Sequence, residues 1–215
     1  MKVIILAAGR GSRLGERTKD RPKCMVEICG KTILERCISS LEEAGIHRED
    51  IAIVTGYRKD LIRVSGVHYF HNKNWEQTNM FLSMMEAKEW LKAEPCLVCY
   101  SDVIFSAHAI KSLAASDAPL AVTYYTGFWE LWQMRMEDPL SDLETFKIDS
   151  QNMLLEIGKK PHAKEDIMGQ YMGLIRFTPT SFDWVLKAIE QPLPKPLAKL
   201  DMTTLLQGML EQGYP

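Results

Sequence analysis

Leu6-Ala-Ala-Gly-Arg-Gly-Ser-Arg-Leu-Gly-Glu-Arg-Thr-Lys-Asp-Arg-Pro-Lys23 follows directly on the apolar run Val3 to Leu6. An apolar run that closes into Gly9-Arg10-Gly11-Ser12 predicts a buried strand opening into a turn whose backbone N–H groups point outward, an arrangement that cradles an anion. Side-chain charge agrees with the turn. From Arg10 to Lys23, six cationic residues against Glu16 and Asp20 leave a local charge of +4 in a chain whose net charge is −2. A polyphosphate is the partner such a loop suits.

Outward from this loop, strands and helices alternate. Met25 to Ile28 forms a short segment. Thr32 then starts a helix to about Ala44, supported by the capping pair Thr32 and Glu35, the spacing of Ile33, Leu34, Cys37, Ile38 and Leu41, and the stop at Gly45. Ile51 to Thr55 reads as a second buried strand, completing a βαβ unit whose ligand sites lie at the carboxyl ends of its strands. A short helix is expected over Gly56 to Val64, a strand over Val67 to Phe70 and a long helix from Thr78 or Asn79 to Leu91. Met80, Phe81, Met84, Met85, Ala87 and Trp90 give that helix its apolar side, either core or a face for a homodimer.

Cys96 to Tyr100 predicts a fourth strand ending in Ser101-Asp102, followed by a helix over 106–116 and a strand over 119–125. Residues 126–146 then lose both periodicities and carry Trp129, Trp132, Asp138, Asp142 and Glu144, the composition of a lid or acceptor-binding element. A hairpin is expected from Phe146 to Ile148 and Leu154 to Ile157, a last core strand from Tyr171 to Phe177, and helices over 179–190 and 202–211. The expected class is α/β, one domain over 1–215 with an insertion at about 126–170.

Composition narrows the function classes. With 46% hydrophobic and 25% charged residues the chain reads as a soluble globular protein. No run approaches the roughly 18 to 20 apolar residues of a membrane helix. The first residues enter a strand with no leader-like apolar segment, so a cytoplasmic location is expected. Five cysteines fit a reducing compartment, and Cys96 and Cys99, though spaced C-x-x-C, lie inside an apolar run with no companion ligands. The expected partners are small molecules, with neither nucleic acid nor membrane among them.

A Gly-rich cationic turn and an aspartate at the end of a neighbouring strand are the parts needed for a nucleoside triphosphate with a divalent cation. Mg²⁺ prefers a few carboxylates completed by phosphate oxygens and water, which gives Asp102 a role; capping the following helix is its other reading. A dinucleotide fingerprint starts at Gly9-x-Gly11 but lacks its third glycine, since Leu14 stands there, and no P-loop motif occurs.

The set Leu6-Ala-Ala-Gly-x-Gly-x-Arg-Leu14, Arg21-Pro-Lys23 and Ser101-Asp102 resembles the sugar-phosphate and phosphocholine nucleotidyltransferase family. The similarity continues through Gly30-Lys31, Val54-Thr-Gly-Tyr57, Thr78-Asn79 with Ser83, Glu156-Ile-Gly-Lys159 and Gly169-Gln-Tyr-Met-Gly173. Trp129-x-x-Leu-Trp132 and Asp138-Pro-Leu-Ser-Asp142 are similar to the small-alcohol cytidylyltransferases rather than to the hexose-1-phosphate enzymes, which form the alternative. The resemblance implies a Rossmann-like mixed, mostly parallel central sheet with helices on both faces.

It also implies roles. Leu6, Ala7, Ala8, Gly9, Gly11, Ser12, Thr78, Asn79 and Ser83 would bind the nucleotide, Arg13 the leaving pyrophosphate, Lys23 the reacting phosphates, and Asp102 the Mg²⁺ that accompanies CTP. For the acceptor, Trp129, Trp132 and Tyr171 form either an aromatic box for a quaternary ammonium, a contact worth about 2 kcal/mol when desolvated, or a plain hydrophobic lid. Asp138, Asp142, Glu156 and Lys159 are the charged candidates beside them. The family places a further metal-binding aspartate in a Trp-x-Glu-Ile-Asp-like motif, and this chain reaches Gly213-Tyr-Pro215 without one. The expectation is a sequence truncated at its carboxyl end or, as a second alternative, a non-catalytic nucleotide-binding regulator.

Overall fold

The computed structural model describes residues 1–215. Strand β1 (Lys2–Ala7) is the axis, and its alternation splits the core: Val3, Ile5 and Ala7 join one apolar cluster, Ile4 and Leu6 the other. The short pair β2 (Glu27–Ile28) and β3 (Lys31–Thr32) leads into helix α1 (Ile33–Glu43), where Thr32 and Glu35 form the reciprocal cap. Strands β4 (Ile51–Thr55) and β5 (His68–His71) follow, then helices α2 (Met80–Met85) and α3 (Lys88–Ala93), strand β6 (Cys96–Tyr100), α4 (Ala107–Ala114) and β7 (Leu120–Tyr125). Next come α5 (Phe128–Gln133) and the hairpin β8 (Phe146–Ile148) and β9 (Leu154–Ile157); β10 (Gln170–Phe177), α6 (Pro179–Ala188) and α7 (Met202–Glu211) follow.

The six-stranded sheet runs β5-β4-β1-β6-β10-β7. Strands β5, β4, β1 and β6 pair in parallel, whereas β10 is antiparallel to both β6 and β7. Helices α1 and α4 cover one face and α2, α3, α6 and α7 the other, which buries the strands on both sides and explains their continuous apolar runs. Cys96 and Cys99 fall in opposite clusters, so their side chains leave the strand on opposite faces and cannot hold one ion. Burial raises the Cys96 thiol to about 12. No helix is long and apolar enough to cross a membrane.

Two local expectations fail for backbone reasons. Residues 56–64 hold only a 3-10 turn at Lys59–Leu61, because Arg58 sits at φ 47, in the left-handed region where a helix cannot continue. The predicted helix to Leu91 is broken into α2 and α3 at Ala87 (φ −104, ψ 20). Periodicity records which face is apolar and is blind to such a kink. Phe81, Met84 and Ala87 are fully buried and Met80, Met85 and Trp90 pack partly buried against the same cluster, so this stripe serves the core.

Candidate nucleotide-binding site

Parallel pairing brings the loops after β1 and β6 side by side, with Leu6 opposite Tyr100 in the ladder. The first loop turns at Gly11 (φ 78), where a Cβ would stand 2.6 Å from the Cβ of Lys23. Glycine there serves both the turn and the close passage of the lysine stem. The fully buried Thr18 hydroxyl donates to the carbonyls of Gly11 at 3.0 Å and Gly15 at 3.3 Å, and Arg10 Nε donates to the Thr18 carbonyl at 3.2 Å. Pro22 (φ −63) delivers Lys23 to the head of a short 3-10 turn. From there Lys23 Nζ donates to Asp102 Oδ2 at 2.6 Å, joining residues 79 apart in sequence. Capping of α4 falls to Ser106, whose hydroxyl accepts from Ala109 N–H, so Asp102 is left to face the cleft.

The opposite wall is the segment after β5. Asn72, 2% exposed, spends its amide on Thr78 Oγ1 at 2.8 Å and Ser83 Oγ at 3.0 Å, and its Oδ1 accepts from Asn74 N–H at 2.9 Å. Asn79 caps α2 through the Met80 N–H. Trp75 closes this wall against Gly56, where a Cβ would meet the Ala8 carbonyl at 2.5 Å and Trp75 at 2.6 Å. The cleft so formed, about 180 Å³, is lined by Leu6, Ala8, Gly9, Gly11, Lys23, Thr78, Asn79, Ser83 and Asp102 together with Trp75, Met80, Tyr100 and Ser101.

Three expected nucleotide-loop residues lie off this cleft: Ala7 is packed into the core beneath it, and Ser12 and Arg13 sit on the exposed 3-10 turn beyond Gly11. Trp75, Met80, Tyr100 and Asn72 were missed. Asn72 and Trp75 fall in a polar loop with no periodic signal, and their roles depend on what the fold brings opposite them. Tyr100 reads in sequence as the last residue of a buried strand.

The expected aromatic box is not assembled. Tyr171 packs edge-on against Tyr100 with ring centroids 6.0 Å apart. Trp129 and Trp132 instead pack on the small cluster of Phe128, Leu143 and Ile167. Each already carries a cation of its own chain, Lys164 over Trp129 and Arg135 over Trp132, both 4.9 Å from the ring centroid, and Trp132 Nε1 donates to Asp142 Oδ2 at 3.1 Å. Asp138 accepts from Leu140 N–H as a turn cap. Glu156 pairs with Lys147 at 3.4 Å and Lys159 at 3.6 Å, and Lys159 also reaches Glu211 of α7 at 3.3 Å. These charges strap the hairpin to α7.

Polar groups do gather next to Tyr100, from elements distant in sequence. A bulge in β10 puts Gly173 at φ 68, where a Cβ would meet the Tyr100 ring at 2.4 Å. The Tyr171 hydroxyl beside it is buried and has no hydrogen-bond partner. Desolvation holds the Tyr100 hydroxyl well above the usual phenol range, with Tyr171 and the Asp201 carboxylate adding to it. Asp201 caps α7 through Thr204 N–H at 2.8 Å and pairs with Lys195 at 2.5 Å; burial works to raise its carboxyl, but the bonds from Lys195 and Thr204 prevail and lower it. Glu144, against the Thr203 hydroxyl, is raised by burial first and then by Asp201.

Comparison with known proteins matches this architecture. The MobA-like NTP transferase domain family matches residues 3–158. The chain is 32% identical over 228 residues to the CTP:phosphoglutamine cytidylyltransferase of Campylobacter jejuni, covering 99% of this chain and 89% of that protein. It is 40% identical over 95 residues to the choline-phosphate cytidylyltransferase of Streptococcus pneumoniae, covering 42% of this chain and 41% of that protein. Among solved structures, the inositol-1-phosphate CTP transferase from T. maritima superposes with a TM-score of 0.73 at 20% identity, covering 99% of this chain and 82% of that chain, a likeness of fold. With its Gly-rich loop, Lys23 and Asp102 gathered at the carboxyl ends of parallel strands, the chain belongs to the MobA-like NTP transferase domain family and is a nucleotidyltransferase.

Proposed function

We propose that this protein transfers the cytidylyl group of CTP to the phosphate or phosphonate of a small acceptor that also bears an amine or amide, with release of pyrophosphate. The observation that carries the reading is the meeting of Lys23 and Asp102 in a cleft walled on one side by the Gly9-to-Gly11 loop and on the other by the start of α2. The printed activities of the Campylobacter and Streptococcus relatives support CTP as donor and a small phosphorylated acceptor.

The reaction is an in-line displacement. An acceptor oxygen forms a bond to the α-phosphorus as the bridging oxygen to the β-phosphorus leaves with pyrophosphate. The nucleophile is already an anion, so the protein's task is to hold two polyanions together and offset their charge. Lys23 would contact the α-phosphate and the incoming phosphate, Arg13 would reach over from its exposed turn to the departing pyrophosphate, and Thr78, Asn79 and Ser83 would face base and ribose. Asp102, on the cleft wall, would suit Mg²⁺, an ion commonly held by one or two carboxylates with phosphate oxygens and water making up its shell. When bound it would supply charge neutralisation on the phosphates. Asp201, whose charge bears on the Tyr100 hydroxyl, and Glu144, on which Asp201 acts in turn, would be the carboxylates to receive the acceptor's amine, in preference to the two tryptophans.

A panel of four nucleoside triphosphates against phosphocholine, phosphoethanolamine, aminoethylphosphonate, phosphoglutamine and glucose 1-phosphate, monitored by pyrophosphate release, tests this directly. CTP with a nitrogen-bearing acceptor is the expected best pair. Preference for UTP or TTP with the hexose phosphate overturns the reading.

A further inference from the structure

Lys23 and Asp102 have separate tasks in the reading above, and the structure has them bound to each other. The contact is 2.6 Å, both side chains are about one third exposed (36% and 31%), and neither has another hydrogen bond or ion pair. The lysine stem has little room to leave, since it lies against Gly11 and follows Pro22.

We infer that Lys23 is the resident cation of Asp102, and that by holding this carboxylate it keeps a bare divalent ion out until a nucleotide triphosphate arrives. The inference rests on the proposed function, which assigns phosphate to Lys23 and metal to Asp102. A dication approaching the free protein meets at Asp102 a carboxylate that is already neutralised, beside a positive charge. A triphosphate changes both terms together. It gives the ammonium a new anionic partner and brings the additional oxygens that a hard cation requires. Charge passes from one pairing to the other in a single exchange, so metal and nucleotide bind with positive coupling, each raising the other's affinity by the same factor.

The test uses Mn²⁺ alone as probe, titrated into the full chain without nucleotide and read by electron paramagnetic resonance of the free ion. Lys23→Met keeps an apolar stem over Gly11 and removes the charge. It should bind Mn²⁺ at least about fivefold more tightly than the unaltered protein, the factor expected for release of one partly exposed ion pair. Adding Asp102→Asn to Lys23→Met should abolish that gain. Equal Mn²⁺ affinity in the unaltered protein and Lys23→Met overturns the inference, as does a gain that survives loss of Asp102. Thermal unfolding verifies that each variant is folded, and Lys23→Gln replaces Lys23→Met if that variant is not. Failure of the proposed function reads differently, as absence of CTP-dependent pyrophosphate release by the unaltered protein, which leaves the Mn²⁺ titration intact.

Discussion

The parallel and antiparallel halves of the sheet both end in polar groups, but they arrive there by different means. In the parallel half, ladder pairing of β1 with β6 sets the Gly-rich loop and Asp102 side by side, so connectivity alone builds most of the cleft. In the antiparallel half, Tyr100, Tyr171 and Asp201 come from three separate segments and meet through a bulge, a helix cap and an ion pair. A site built by topology concentrates its chemistry in few residues, whereas one built by packing spreads it over many.

The sharpest break in that comparison is Lys23→Ala. It should lower kcat/KM for pyrophosphate release at least about 100-fold, while the unfolding midpoint moves little, because an ion pair this exposed contributes about 1 kcal/mol or less. A comparable loss of midpoint would return Lys23 to a structural role. Gly11→Ala should come next: a side chain at φ 78 costs about 1–2 kcal/mol, and its contact with the Lys23 stem should weaken CTP binding roughly tenfold, measurable by calorimetry.

On the other half, Trp129→Ala should destabilise by about 1–2 kcal/mol through lost packing and leave the acceptor KM within about twofold. A tenfold rise in KM would put the tryptophan back in the acceptor site. The smallest effect belongs to Asp166, whose carboxyl is lowered to about 2 by the His162 N–H, then by Lys147 and the Ala163 N–H. A carboxyl lowered on folding contributes stability above its ordinary value of 3.8 that is lost as pH falls through about 2. Amide exchange near residues 162–167 should therefore rise between those pH values, and Asp166→Asn should remove the pH step.

The same contrast explains what could be read from the chain. The apolar run into Gly9, the Thr32 and Glu35 cap and the aspartate after Cys96 to Tyr100 are local patterns with one good structural solution, and each stands where local rules place it. The rest depended on partners far along the chain. Nothing near Trp129 or Trp132 announces that Lys164 and Arg135 cover them, and nothing near Glu144 announces Thr203. Single backbone angles, such as Arg58 at φ 47, are equally silent in an apolar pattern.

Asn72 carries a kinetic consequence. Its amide, its carbonyl oxygen and its backbone N–H, which donates to Thr55 at 2.9 Å, are all engaged within the protein, so the wall from Asn72 to Ser83 is already ordered when a nucleotide arrives. Little loop entropy remains to be lost in the encounter. Capture of CTP should then be a one-step process whose observed rate rises linearly with concentration, and Asn72→Ala should bend that line toward a plateau set by loop ordering.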